Sequence, residues 1–425
     1  MIRAFIFIFI ITLASPSLFA QNEKAWIRQQ IKTLSGDRFS GRGYVGKGAD
    51  KAAQYVARQF EEMQLYAFSE KEAYIQTYRF PVNTFPGDMH LKLNKKILVP
   101  GVDYIIQEAS SGVSIKNKKV KTVSLADVKD SASWQKVKVQ FNPQYAYLLK
   151  DYDTLVSYLK LNRRTLAKQL RGGVFLLPKK GKMIWSVARD TIATTLFTVE
   201  DSVLPKRVKK MEAIVQNKYI PDYLHKNAIG YVPGTEKEDS FIVFTAHLDH
   251  LGMMGRNTMF PGAHDNASGT SLMLYLASYF AKHPPKYSVV FMGFSGEEAG
   301  LMGSKYYTEH PFFPLSKIAV VVNLDMTGDA TDGITMVNGK EQKEVFEKFN
   351  TINNQKNYLP KINQREQTAN SDHYSFSEKG VPAVFIFGLG AKGYYHDVFD
   401  KATELSLNNI DNLARLLIDF VQTYD

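Results

Sequence analysis

Six short groups of polar residues hold the side chains that could carry out chemistry. They are, in chain order, HLDH (residues 247–250), GAHDNASG (residues 262–269), GEE (residues 296–298), Asp325, SDH (residues 371–373) and YYHDVFD (residues 394–400). Their carboxylates would repel one another if the fold brought them together without a compensating cation. Imidazole and carboxylate donors, in a chain without cysteine, suit zinc or a similar divalent ion in a catalytic setting. The residue types therefore predict a catalytic metal site.

The candidate ligands are numerous enough for two metal ions. The good nitrogen and oxygen donors are His247, His396, Asp265, Glu298 and Asp325. One bridging carboxylate, with one histidine and one carboxylate for each ion, leaves two open sites about 3.5–4 Å apart that share a water. Glu297 then has no metal to bind. A free carboxylate beside such a water is a general base.

Each group taken alone has a simpler structural explanation. Asn266 or Ser268 could cap the helix that follows. Glu297 and Glu298 could complement the dipole at the start of a helix, and Asp325 could belong to a turn. The convergence of all the groups on one edge of a sheet, rather than any single group, favours the metal site.

The elements that must position these groups belong to an α/β fold. Apolar strands are predicted at residues 240–246, 287–294, 318–324 and 381–387, and helices at residues 267–282, 300–310, 341–351 and 405–423. Unbroken apolar strands that alternate with helices predict a mostly parallel mixed sheet flanked by helices. In such sheets, ligands bind beyond the carboxyl ends of the strands, which is where the polar groups fall.

Residues 86–225 have a different sequence pattern and are predicted to form a β-rich inserted domain. Short β-like runs at residues 91–98, 137–141, 173–177 and 183–187 alternate with lysine-rich connections, and residues 155–170 are predicted to be helical. The main domain would then combine residues 21–85, with predicted helices at 25–34 and 49–65, and residues 226–425.

The first twenty residues, MIRAFIFIFIITLASPSLFA, predict a signal peptide. Arg3 supplies a positive start, an apolar run follows, and Ala20 offers a small residue for cleavage. The run is short for a bilayer span of about 20 residues, so we expect an exported chain, periplasmic or extracellular, with no membrane span after cleavage. The net charge of +11 comes without a nucleic-acid motif and is interpreted as a solvated basic face.

The ordered set of motifs resembles the co-catalytic zinc aminopeptidases of metallopeptidase family 28, such as bacterial leucyl aminopeptidase and aminopeptidase Y. The resemblance runs from NAIGYVPG (residues 227–234) to YHDVFD (residues 395–400) and includes GRGYVGKGADKAAQYVARQFEEMQL (residues 41–65). It implies the zinc exopeptidase fold, which is phosphorylase/hydrolase-like. The insertion lies where many members carry a protease-associated domain, so the resemblance implies that it is similar to such a domain.

The resemblance also implies a role for each candidate residue. The implied zinc ligands are His247 and Asp325 for one ion, Glu298 and His396 for the other, and Asp265 between both. Glu297 would be the general base, and Tyr395 would hydrogen-bond the developing oxyanion. Asp249 would orient His247 without touching the metal, and Asp400 would do the same for His396.

Three further histidines are left without a role as ligands. His264 stands where many family members have an aspartate before the bridging acid, and we expect it outside the ligand set. His250 and His373 match family positions but are not assigned as ligands. The resemblance also implies a cis peptide bond after Asp265.

The implied function is that of an exported di-zinc aminopeptidase, which removes amino-terminal residues from peptides through a metal-bridging hydroxide. Three alternatives stay open at this point: a glutaminyl cyclase, which binds one zinc in the same fold; a carboxypeptidase or dipeptidase; and a non-catalytic, receptor-like scaffold. The complete ligand set and the presence of Glu297 favour the aminopeptidase over the first and the third. The second stays open because the motifs do not include the residues that read the ends of a peptide.

Overall fold

The strands and helices below come from a computed structural model that describes residues 16–69, 73–171 and 173–425. The strands are β1 (Ile75–Thr84), β2 (Met89–Leu93), β3 (Lys96–Leu98), β4 (Tyr104–Ile106), β5 (Val113–Ser124), β6 (Ala146–Lys150), β7 (Val174–Lys179), β8 (Thr195–Glu200), β9 (Lys210–Val215), β10 (Lys218–Val232), β11 (Lys237–His247), β12 (Gly252–Met253), β13 (Met259–Phe260), β14 (Tyr287–Phe294), β15 (Ile318–Leu324), β16 (Ile334–Val337), β17 (Ile362–Gln364) and β18 (Ala383–Gly388). The α-helices are α1 (Pro16–Leu34), α2 (Gly48–Glu62), α3 (Ser131–Lys138), α4 (Tyr152–Leu159), α5 (Arg163–Ala167), α6 (Gly269–Lys282), α7 (Met302–Glu309), α8 (Lys343–Lys356), α9 (His373–Ser377) and α10 (Ile410–Gln422).

The main sheet, as far as the chain is described, has eight strands in the order β1-β10-β14-β11-β15-β18-β16-β17. Its four central strands, β14, β11, β15 and β18, run parallel to one another. Antiparallel partners flank them, with β10 beside β14 and β16 beside β18. The predicted fold class, a mixed and mostly parallel sheet flanked by helices, is confirmed.

Helices cover both faces of this sheet, which is why its central strands are apolar without interruption. In β14, Val289 and Phe291 pack into the core that contains residues of α1, α2, α6, α8 and α10. Val290 and Met292 point to the opposite face and pack with residues of α7 and α9. Because both faces are covered, a ligand can reach polar side chains beyond the ends of the strands.

The predicted elements of the main domain are confirmed, with shifts at their ends that are largest for α1, which begins at Pro16 rather than at residue 25. The strands at 287–294 and 318–324 have the predicted bounds. The last helix begins at Ile410 rather than at residue 405. The preceding residues instead form a loop, in which the Leu407 amide donates to the carbonyl of Gly328 and Asn409 has a φ of 57°. A positive φ does not continue a right-handed helix.

The second eight-stranded sheet of the described chain lies within residues 86–225, in the order β3-β2-β9-β5-β6-β7-β8-β4. Strands β5 to β8 run parallel, and α3, α4 and α5 contribute to a core of their own against β6 and β7. The segment is therefore an α/β unit with many strands. Strand β10 starts before residue 225 and belongs to the main sheet.

Two strand predictions in this segment were wrong, and the predicted helix is divided. Residues 137–141 do not form a strand, because Asp130 caps α3 and its carboxylate accepts the amide of Ser133 at 2.7 Å. Residues 183–187 join neither sheet. The helix predicted at 155–170 is the pair α4 and α5, interrupted by Lys160 with a φ of 49°.

The two sheets share a hydrophobic core at their junction. Leu98 and Trp185 of the second unit pack in the same cluster as Phe85, Met254 and Phe260. The ring centroids of Trp185 and Phe260 are 4.7 Å apart. The inserted segment is thereby fixed against the loops that lead into α6.

The predicted signal peptide spans residues 1–20, and residues 1–15 lie outside the described part of the chain. Cleavage and export therefore stay predictions. Among the helices of the described ranges, none combines the length and the apolar character needed to cross a bilayer.

Candidate metal centre

Three adjacent parallel strands deliver the polar groups to one edge of the main sheet. His247 is the last residue of β11, Asp325 directly follows β15, and Glu297 and Glu298 follow β14 after a short turn. The turn contains Gly296 with a φ of 74°, a conformation that suits glycine. Because the three strands are neighbours in the order β14-β11-β15, residues far apart in the chain converge.

The first cluster surrounds His247. Its Nε2 lies 3.2 Å from Oδ1 of Asp265 and 3.2 Å from Oδ1 of Asp325. Its Nδ1 donates to the backbone carbonyl of Asp249 at 3.1 Å, while the Asp249 carboxylate is 3.8 Å away. All four residues are buried. The ring is therefore held with Nε2 directed at two carboxylates.

The second cluster surrounds His396, in the loop after β18. Its Nε2 lies 3.2 Å from Oδ2 of Asp265 and 3.1 Å from Oε2 of Glu298. Its Nδ1 donates to the backbone carbonyl of Trp185 at 2.9 Å. Asp265 thus directs one oxygen at each histidine and stands between the two clusters.

The spacing of these donors fits a divalent metal ion on each side of Asp265. Atoms bound about 2.0–2.2 Å from one ion lie about 3.3 Å apart at a tetrahedral angle, close to the observed 3.1–3.2 Å. Within the described chain, Oδ2 of Asp265 is buried and accepts no hydrogen bond. His247, Asp265 and Asp325 together form one of the groups able to hold an ion.

The charges of the site favour bound cations. Burial alone lowers the pKa of His247, but Asp325 and Glu297 outweigh it and raise that pKa well above its usual value. Burial would raise the pKa of Glu298, yet His396 brings it down to about 2. The raised pKa of His247 reflects the buried carboxylates around it, whose negative charge a divalent ion would neutralise.

Glu297 differs from its neighbour Glu298. Burial, and further the charges of Glu298 and Asp325, raise the pKa of Glu297 well above its usual range, against the opposing effect of His247. Its backbone amide donates to Oδ1 of Asp249 at 3.3 Å. The doublet therefore contains one carboxylate that is held ionised and one that readily binds a proton.

A buried arginine holds the turn that carries Asp265. The Arg42 guanidinium donates to the backbone carbonyls of Pro261, Gly262 and Asp265 at 2.9, 2.6 and 3.2 Å. Arg42 is fully buried, and burial lowers its pKa to about 10. The peptide bond between Asp265 and Asn266 is cis, as the resemblance implies.

A cavity of about 300 Å³ opens beside the two clusters. It is lined by His247, Asp265, Glu297, Asp325, Met326, Arg365, Asn370, Phe385, Phe387, Tyr395 and His396. The Tyr395 ring stacks on His396, with the centroids 3.8 Å apart, and 44% of the residue is exposed. The cavity thus exposes the polar cluster to a ligand and adds apolar walls and a phenol.

Comparisons with known proteins agree with this geometry. A family model described as Peptidase family M28 matches residues 227–421, a little under half of the 425-residue chain. Over these residues the chain is similar to peptidase family M28. Aminopeptidase YwaD of Bacillus subtilis (strain 168) is 28% identical over 228 residues, which is 49% of this chain and 47% of that protein. The chain thus spans about half the length of this relative.

Two solved structures resemble nearly the whole chain. BSAP, a zinc aminopeptidase from Bacillus subtilis, has a TM-score of 0.65 at 18% identity and covers 94% of this chain and 95% of its own. The Peptidase M28 precursor from Shewanella amazonensis SB2B has a TM-score of 0.69 at 13% identity, with 96% of each chain covered. At these identities the likeness concerns the fold, and it includes the inserted segment.

The inserted segment reaches the candidate metal centre through Trp185. The Trp185 carbonyl accepts from His396, and the Trp185 amide donates to the carbonyl of His396 at 3.1 Å. The indole Nε1 donates to the carbonyl of Ile106 at 2.8 Å. A run predicted as a strand thus acts as the support of a histidine, and sequence patterns contain no signal for such a backbone contact.

Asp400 contacts a different part of the site from the one expected. Its carboxylate accepts the backbone amides of His264 and Asp265 at 2.8 and 3.0 Å. Among the described residues, the hydrogen-bond partner of His396 Nδ1 is Trp185, not Asp400. Asp400 therefore supports the turn of Asp265, since its charge-assisted bonds hold two amides of that turn.

A chain of buried polar residues supports Asp325. Ser371 donates to Oδ2 of Asp325 at 2.8 Å and accepts from Asn323 at 2.7 Å, and Thr245 donates to Asn323 at 2.6 Å. Sequence reasoning named the SDH group but missed the role of Ser371. The signal available was a serine beside two titratable residues, between the helix predicted at 341–351 and the strand predicted at 381–387.

The three unassigned histidines occupy different positions. His250 Nδ1 lies 2.7 Å from Oε1 of Glu298, and His250, Asp265 and Glu298 form another group able to hold an ion. His264 is buried beside Gly328 and is in none of the ion-holding groups of the described chain. His373 is fully buried, and neither of its ring nitrogens has a hydrogen-bond partner among the described residues.

Proposed function

We propose that this protein is a zinc-dependent aminopeptidase that hydrolyses peptides at their amino terminus. The observation that carries the proposal is the position of Asp265, whose two carboxylate oxygens face two separate histidine–carboxylate pairs. The match of residues 227–421 to the model of peptidase family M28 supports it, as does the relative named as an aminopeptidase.

The ligands for two zinc ions would come from five residues. His247 and Asp325 would hold one ion, His396 and Glu298 the other, and Asp265 would contact both. Bound zinc lowers the pKa of water and polarises a carbonyl oxygen, which is the chemistry that peptide hydrolysis needs. In this assignment His250 fixes the second oxygen of Glu298, because it lies 2.7 Å from Oε1 while Oε2 faces His396.

Glu297 performs the proton transfers in this proposal. It accepts a proton from the attacking water while the water oxygen bonds to the carbonyl carbon of the peptide. It then donates that proton to the amide nitrogen as the carbon–nitrogen bond breaks, which releases the amine. Its high pKa and its position in the cavity support this role.

Three other residues organise the step. The Tyr395 hydroxyl, at the exposed side of the cavity, donates to the oxygen that gains negative charge. Asp249 holds His247 through its backbone carbonyl. Asp400 holds the turn of Asp265. We further infer that the chain is exported and that residues 86–217, up to the start of β10, are an insertion in the peptidase unit.

The test is hydrolysis of a peptide panel by the zinc-loaded chain. Peptides with a free amino terminus and their N-acetylated counterparts are compared, with and without a chelator. We expect cleavage of the free peptides alone, loss of activity and a lower melting temperature with the chelator, and recovery on adding zinc. Equal cleavage of blocked peptides contradicts amino-terminal action. A metal content of about one per chain contradicts the two-ion assignment.

A further inference from the structure

The cavity beside the polar clusters is also lined by a cationic residue. Arg365 and Asn370 line it together with the apolar side chains of Met326, Phe385 and Phe387. The acids Asp265, Glu297 and Asp325 line the same cavity. One cavity therefore combines the acids of the candidate metal centre with an arginine and apolar side chains.

The backbone of Arg365 is held by hydrogen bonds, whereas its guanidinium has no protein partner among the described residues. Its amide donates to the carbonyl of Met336 at 2.9 Å, and its carbonyl accepts from the amide of Lys340 at 3.3 Å. Among the described residues, no ion pair or hydrogen bond engages its guanidinium. The neighbouring acid Glu366 is occupied, since its Oε1 lies 2.9 Å from Nζ of Lys340.

We propose that Arg365 binds a carboxylate group of the substrate and thereby sets the specificity of the site. A guanidinium presents two parallel donors that match a carboxylate. Met326 and Phe387, which are half-buried, would contact the methylene groups that lead to it.

The carboxylate has two possible sources in a peptide. It is the side chain of an amino-terminal glutamate or aspartate, or the terminal carboxylate of a dipeptide. Both need the same guanidinium. This inference rests on the proposed aminopeptidase function, so its test includes substrates that lack any carboxylate.

The experiment measures kcat/KM of the zinc-loaded chain for matched substrates. Glu-Leu-amide against Gln-Leu-amide tests the side-chain source, and Leu-Ala against Leu-Ala-amide tests the terminal source. The variant Arg365→Gln should lower kcat/KM about 10- to 100-fold for the preferred carboxylate substrate. It should change kcat/KM for the amide counterpart less than about 3-fold, because the amide substrate has no carboxylate and forms no charge-assisted bond with Arg365.

The charge-reversed variant Arg365→Glu sharpens the test, since it should favour an amino-terminal lysine over glutamate. Arg58→Glu, on the exposed surface of α2, makes the same charge change outside the cavity lining and should leave the substrate ratios unchanged. Equal effects of Arg365→Gln on both members of each pair, or no preference in the natural chain, would overturn the inference. Failure to hydrolyse Leu-Ala-amide, Gln-Leu-amide and all other free peptides would instead overturn the proposed function.

Discussion

The two histidines of the candidate metal centre are held by different parts of the molecule. His247 donates to the carbonyl of Asp249, two residues along the chain, at the end of a central strand. His396 donates to the carbonyl of Trp185, which lies in the inserted segment 211 residues earlier. One side of the centre is thus built within the main sheet, and the other depends on the insertion.

This difference suggests what the insertion contributes. Outer contacts to a metal-binding histidine fix its orientation, and their loss typically weakens metal binding about 10- to 100-fold. Trp185 is itself fixed by its bond to Ile106 and by packing on Phe260. We therefore expect the His396 side to be the more easily disturbed of the two.

The largest effect is expected from Glu297→Gln, which leaves both histidine supports intact. Removal of the proton acceptor should lower kcat about 10²- to 10⁴-fold, while the metal content stays unchanged. Peptide hydrolysis and elemental analysis of the same sample check this. An exposed control, Glu378→Gln after α9, should retain full activity; near-normal turnover in Glu297→Gln would refute the assignment of the base.

A smaller effect that separates the two sides is expected from Trp185→Ala. Loss of the indole releases the segment that bonds His396, so the affinity for the ion on that side should fall about 10- to 100-fold. The ion beside His247 should stay bound. A competitive titration with a zinc chelator should resolve the two steps.

Trp134→Ala is the matched control for that variant. Trp134 is also buried in the inserted segment, but it lies in the core of α3, α4 and α5. Both variants should lower the free energy of unfolding by about 3–5 kcal/mol. If the two tryptophan variants weaken zinc binding equally, the contact to His396 is not what the insertion contributes.

The smallest effect is expected from Ser371→Ala, which disturbs the His247 side. Asn323 would lose a buried acceptor, at a cost of about 1–3 kcal/mol in the free energy of unfolding. Asp325 would lose one of its bonds, so the affinity for the ion on that side should fall about 10-fold, with the His396 side unchanged.

Ser375→Ala serves as the control for this change. Ser375 is also buried, lies four residues further along the chain, and forms a hydrogen bond with Ser304. Loss of that hydrogen bond should lower stability without changing the zinc affinity. A Ser371→Ala chain that loses zinc from the His396 side first would contradict the assignment of separate supports.

The sequence was informative where a local pattern has one physical solution. The runs at 287–294 and 318–324 are apolar on both faces and could only be central strands, and their bounds were predicted correctly. In the insertion, weaker patterns competed with local capping. Asp130 starts a helix where the hydrophobic alternation suggested a strand, and Trp185 lies in a segment that pairs with a loop instead of a sheet.

The sequence by itself determined the candidate residues of the site, because residue types and their place after apolar strands predict metal donors and a spare glutamate. Only the tertiary structure decided how they are held: which side chain faces which oxygen of Asp265, that Arg42 and Asp400 support its turn, and that Trp185 supports His396. The physical reason is that these supports are hydrogen bonds to backbone groups. Every residue type has such groups, so no sequence pattern shows which of them a distant fold contact will use.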